Sequence, residues 1–105
     1  MGKIFAMFAV AALSGQAELK DTIELKERAH QAYVAGRYAE AEAGYRRVLA
    51  ALGAERTLAR AAAMENLGES LRSLGRLAEA RPLMEEATRE IAALAGPESP
   101  ETIQA

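Results

Sequence analysis

GRYAEAEAGYRRVLAALG (residues 36–53) returns in altered form as GRLAEARPLMEEATREIAALAG (residues 75–96). Laid with Gly36 on Gly75, the two stretches run in register at an offset of 39 residues. Gly-Arg-Tyr-Ala-Glu-Ala at 36–41 meets Gly-Arg-Leu-Ala-Glu-Ala at 75–80, Tyr45 meets Met84, Val48 meets Ala87, and upstream Ala29 meets Gly68. Each copy carries apolar residues at steps of three and four and ends at a glycine, as an amphipathic helix with a left-handed C-terminal residue does. A period of this length built from helix–turn–helix units marks an α-solenoid. One hairpin cannot bury its own apolar face, so the chain repeats it and stacks the copies.

Working outward, the spacing predicts four helices in two hairpins and no strands. In DTIELKERAHQAYVAG, Asp21 or Thr22 is the expected N-cap, with Asp21 and Glu24 spaced as in a capping box, and Gly36 ends the helix. Tyr38, Ala41, Tyr45, Val48, Leu49 and Leu52 then form one stripe that closes at Gly53. The third pattern carries Met64, Leu67, Leu71 and Leu74 up to Gly75; the fourth carries Leu77, Ala80, Met84, Ala87, Ile91 and Leu94 up to Gly96 and Pro97. Pro82 lies about one turn into the fourth helix, where a kink or a frayed first turn is the expected cost. The small residues Ala29 and Gly68, with Ala41 and Ala80, predict close approach of the helix axes.

The totals narrow the chemistry. At 105 residues there is room for one domain with a modest core. Alanine and leucine dominate and only 5% of residues are aromatic, which favours helix over sheet. A net charge of −2 with interleaved signs lacks the basic stripe that a nucleic-acid groove needs. The absence of cysteine excludes disulfides, thiolate metal sites and cysteine nucleophiles.

Residues 1–17, MGKIFAMFAVAALSGQA, differ in kind. Lys3 precedes an apolar run from Ile4 to Leu13, and small Gly15 and Ala17 follow, the layout of a secretory signal cut after Ala17. The run falls short of the roughly 20 residues a membrane span takes. Export would place the remaining chain, 18–105, in a periplasm or outside the cell. Without cleavage the protein would be cytoplasmic, with the segment packed on the domain as an extra helix.

At MENLGESLRSLGRLAEARPLMEEA (residues 64–87) the chain resembles the tetratricopeptide repeat family, through Leu67-Gly68, Leu71, Gly75, Ala80, Met84 and Ala87. GRYAEAEAGYRRVL and GPESPET are similar to the longer-period variety of kinesin light chains and many bacterial repeat proteins. The resemblance implies an all-α solenoid: repeat 1 at about 22–55, repeat 2 at about 61–95, and the start of a third unit at 97–105, capped by Ser99 with Pro100 as its first helical residue. In the first unit Arg28 stands where the pattern wants leucine, and Ala32 where it often wants tyrosine or leucine. The first helix is therefore expected to act as an N-terminal cap with a solvated face.

The resemblance also implies a concave groove, lined by the first helix of each hairpin, that takes a peptide or a partner helix. Position by position, its residues are Lys26, His30 and Tyr33 from the first unit and Glu65, Asn66, Glu69 and Arg72 from the second. Lys26 and Arg72 would hold a carboxylate, Asn66 a peptide backbone, and Tyr33 an apolar group; the plainer reading of the same residues is a solvated helix face. Met84, Ile91 and Leu94 on the last hairpin are expected to be partly uncovered, which suggests a second copy of the chain or another protein as cover, or a longer array.

Catalysis is not expected. His30 is the only histidine, and nothing places it beside Ser70 or Ser73 as a base. It also lacks the companion ligands a zinc ion wants, so neither metal nor cofactor is implied. Glu85, Glu86 and Glu90 read as surface charges paired with Arg81 and Arg89.

Overall fold

The computed structural model describes residues 19–96, which form four helices and, among themselves, no strand. Helix α1 covers 19–34, α2 Tyr38–Leu52, α3 Leu58–Ser73 and α4 Leu77–Ala95. The expected signal at 1–17 and the third unit at 97–105 lie outside the described residues.

The two hairpins turn bond for bond alike. Arg37 N donates to Ala32 O (2.8 Å) and Gly36 N to Tyr33 O (3.0 Å); at the 39-residue offset, Arg76 N donates to Leu71 O and Gly75 N to Arg72 O, both at 2.9 Å. This pair of bonds satisfies the last carbonyls of a helix and requires a left-handed residue between them. The glycines supply it, with φ of +81° at Gly36 and +80° at Gly75. The arginine that follows starts the next helix, accepting from Ala41 N and Ala80 N respectively. Its guanidinium then pairs with the glutamate three residues on, Arg37 with Glu40 and Arg76 with Glu79.

Packing joins the hairpins into one body. Leu67 and Leu71 of α3 are buried with Ala29 and Ala32 of α1, Ala41 and Tyr45 of α2, and Ala80 of α4; Tyr33, Leu49 and Leu83 close the edges. Small residues set the spacing, as expected. A Cβ on Gly68 would run into Met84 Cγ, and one on Gly44 would lie 2.7 Å from Ala29 Cβ. Each hairpin thus has one glycine contact at which two helices touch nearly backbone to side chain. The hairpins are also joined by charge: Glu42 of α2 bonds Arg76 (2.7 Å), and Arg46 reaches both Glu42 (3.1 Å) and Glu79 (3.8 Å). Bonding to Glu79, with the attraction of Glu42, holds Arg76 more firmly protonated than an ordinary arginine.

Four sequence expectations need correction. Helix α1 is already under way at residue 19, so Asp21 and Thr22 lie within it and not at its N-cap. The first turn of α4 is closed by Ala80 N to Arg76 O (3.1 Å), and the helix runs through Pro82 without fraying. Pro82 is the sixth residue of the helix, so the Ala78 carbonyl lacks its usual donor four residues on, yet the helix continues to Ala95. Leu74 and Leu77 are exposed although the periodicity places them on the buried stripes, because they flank Gly75 at the hairpin tip, beyond the reach of the neighbouring helix.

Glu90 is the fourth. Read from sequence as a surface charge, it is 6% exposed, and both of its carboxylate oxygens accept from Arg60 Nη1, at 2.8 and 3.0 Å. Arg60 stands in the first turn of α3, where its backbone N–H is capped by Thr57 Oγ1 (3.1 Å). A cation is poorly placed at a helix N-terminus, and the Glu90 carboxylate offsets it there. The pair ties the open end of the second hairpin. Its counterparts at the 39-residue offset are Asp21 and Ala51, which cannot pair and instead line an open cleft of about 390 Å³.

Two stability predictions follow from this packing. Glu90→Ala leaves Arg60 partly buried and unpaired, and should cost about 3 kcal/mol in urea unfolding, against about 0.5 kcal/mol or less for Glu85→Ala on the exposed side of the helix. Gly68→Ala should cost about 1–3 kcal/mol by overpacking. Adding Met84→Ala should recover part of that loss, so the double variant is less destabilised than the two single costs added together.

Candidate protein-binding face

The first helix of each hairpin contributes to one side of the stack, and there the structure brings four of the seven expected groove residues together. His30 and Tyr33 of α1, Asn66 and Glu69 of α3, and Tyr45 of α2 line a single depression of about 100 Å³. The repeat explains the convergence: His30 and Glu69 are equivalent positions at the 39-residue offset, as are Lys26 and Glu65, and Tyr33 and Arg72. Lys26, Glu65 and Arg72 are exposed on the same helices and do not line the depression.

Its floor is Tyr45, 2% exposed and one of the residues of the core. Burial, reinforced by the neighbouring Tyr33 phenol, pushes the Tyr45 hydroxyl above its ordinary pKa, so at neutral pH it remains an O–H group. Tyr33 is half-buried, and its ring meets Tyr38 across the α1–α2 turn at 5.3 Å and 60°, a tilted aromatic contact that fixes it. Asn66 is held by its helix, whose Ser70 hydroxyl donates to the Asn66 carbonyl (3.0 Å), while its side-chain amide has no partner among the described residues. Glu69 is bonded by Arg72 at 2.6 Å. Arg72 therefore does not stand ready with Lys26 to hold a carboxylate, as the sequence suggested; the cation is occupied within its own helix.

Chemically the depression offers two tyrosine rings as apolar wall and floor, one unpaired amide with both donor and acceptor, and one neutralised carboxylate. A small-molecule pocket takes about 300–1,000 Å³, so a volume of this size suits one inserted side chain. Among the described residues no group of three or more His, Cys, Asp or Glu is arranged to hold a metal ion. No described helix is long and apolar enough to cross a membrane. Sequence reasoning missed Tyr45 because its place on the α2 stripe assigns it to the core; the available signal was its hydroxyl, which a wholly apolar core would not accommodate.

On the other side of the molecule, the expected edge residues differ in exposure. Met84 is half-buried on Gly68, Ile91 is half-buried, and Leu94 is 44% exposed. Leu94 lines an open cleft of about 290 Å³ with Arg56, Glu86, Arg89, Glu90 and Ala93.

Residues 60–101 match the family model described as Tetratricopeptide repeat, a stretch that takes in most of α3 and all of α4. No curated protein and no solved structure matches the chain. The match does not single out the longer-period variety. Tetratricopeptide repeats generally mediate protein–protein interactions. The second hairpin thus carries a tetratricopeptide repeat, and the first hairpin repeats its turn bond for bond.

Proposed function

We propose that this protein is an interaction module that holds a peptide segment or a partner helix against the α1/α3 face, with one partner side chain seated in the depression. The observation that supports this most is the meeting of His30, Tyr33, Asn66 and Glu69, from two helices, over a tyrosine floor. Asn66 is suited to bond a peptide unit of the partner, since its amide matches the backbone's own donor and acceptor. Tyr33 and Tyr45 supply apolar contact at low entropic cost, because their rings are already fixed by packing. His30 and Lys26 lie at the rim as exposed positions for polar or acidic groups of the partner. The role is that of an adaptor without catalytic chemistry.

The test is selection from a random-peptide display library on the immobilised full chain, followed by affinity measurement on the variants. Tyr33→Ala and Asn66→Ala should each weaken the enriched peptides by about tenfold, the loss typical of a buried contact or an unmade hydrogen bond. Arg81→Glu, on the far side, should leave them unchanged. Enriched peptides that bind all three variants equally would show that the α1/α3 face is not the binding surface.

A further inference from the structure

The α4 edge carries a second interaction surface, and the internal repeat describes the element that fits it. Within this chain the edge of α2 is covered by the second hairpin, so the structure contains one worked example of the contact. Its polar part is a quartet. Glu42 and Arg46, one turn apart on α2, face Arg76 and Glu79 at the start of α4: Glu42 bonds Arg76 at 2.7 Å and Arg46 approaches Glu79 at 3.8 Å. Its apolar part is Leu67 of α3, buried among residues of the first hairpin.

At the 39-residue offset the α4 edge carries Arg81 in place of Glu42 and Glu85 in place of Arg46. The charges are inverted at both positions. Arg81 and Glu85 are exposed, and neither has an ion-pair partner among the described residues. A second copy of this chain, stacked head to tail in the register of its own hairpins, would bring Arg37 onto Arg81 and Glu40 onto Glu85. Both contacts are like-charged. The incoming α1 would also present Arg28 where the internal contact has Leu67.

We infer that the α4 edge is a docking surface for a helical hairpin of opposite turn polarity, carrying a carboxylate where this chain has Arg37 or Arg76 and a cation where it has Glu40 or Glu79. Head-to-tail addition of the chain's own copies would set like charges together at both positions. Met84, Ile91 and Leu94 supply the apolar component of the surface. The quartet sets which hairpin is accepted, as repulsive pairs do in other selective interfaces.

Charge exchange on the full-length chain tests this, with light scattering over a concentration series as the readout and circular dichroism to confirm helicity. Arg28→Leu restores the apolar knob in every variant, so that only the quartet changes. R28L/R37E/E40R is the probe: its turn has the polarity that the α4 edge should accept, and it should self-associate about tenfold or more tightly than R28L at low salt. The gain should shrink as salt is added. R28L/R81E/E85R restores the polarity of the α2 edge without changing composition beyond Arg28, and should associate similarly. Combining both exchanges should return the chain to the weak association of R28L. Equal association by all four chains, or none by any of them, would overturn the inference. Association of R28L as strong as that of the exchanged chains would show that the quartet does not select the hairpin, and would likewise overturn the inference.

Discussion

Everything in this structure depends on the burial of Leu67 and Leu71 between the hairpins. In the cluster that joins the hairpins, α1 contributes two alanines, α2 an alanine and a tyrosine, and both leucines come from α3. Deleting a buried leucine side chain costs about 2–5 kcal/mol, a large share of the 5–15 kcal/mol that a domain usually has. Stacking the two hairpins is what encloses these leucines. It also orders the face proposed to bind partners, because α1 and α3 are brought to one surface only when the hairpins stack.

Much of this arrangement is local in sequence and was legible there. The turn glycines, the arginine after each, and the glutamate three residues on form a contiguous phrase whose bonds reach no farther than one helical turn. Gly68 was legible as a close-approach residue because its copy is alanine and its neighbours are large. The groove positions were partly legible for the same reason: His30 and Glu69 share a repeat position, each on the first helix of its hairpin. Which of the seven would line a single depression was not readable, since that depends on how far each side chain reaches once the helices pack.

The features that escaped sequence reasoning depend on which partner a side chain takes and on where the helices end. Arg60 and Glu90 stand thirty residues apart, and a glutamate on a charged helix face has no sequence mark that separates a buried partner from a surface one. Leu74 and Leu77 fit the apolar rhythm perfectly well, yet rhythm says nothing about where the neighbouring helix stops. The pairing of Arg72 with Glu69 removed a cation that the resemblance had assigned to ligand capture. In both ion pairs the partner sits on the same or a packed helix.

The charge pattern separates the two edges of α2 and α4, which the apolar pattern makes alike. One edge is answered inside the chain by Arg76 and Glu79; the other shows the inverse pair to solvent. The central claim beneath both binding faces is that the two hairpins form one cooperative body. Native-state amide hydrogen exchange on Leu67→Ala against the unaltered chain tests it directly. Cooperative stacking predicts that amides of α1 and α2 lose protection together with those of α3 and α4, by the same factor. Loss confined to α3 and α4, with the first hairpin as protected as before, would contradict it.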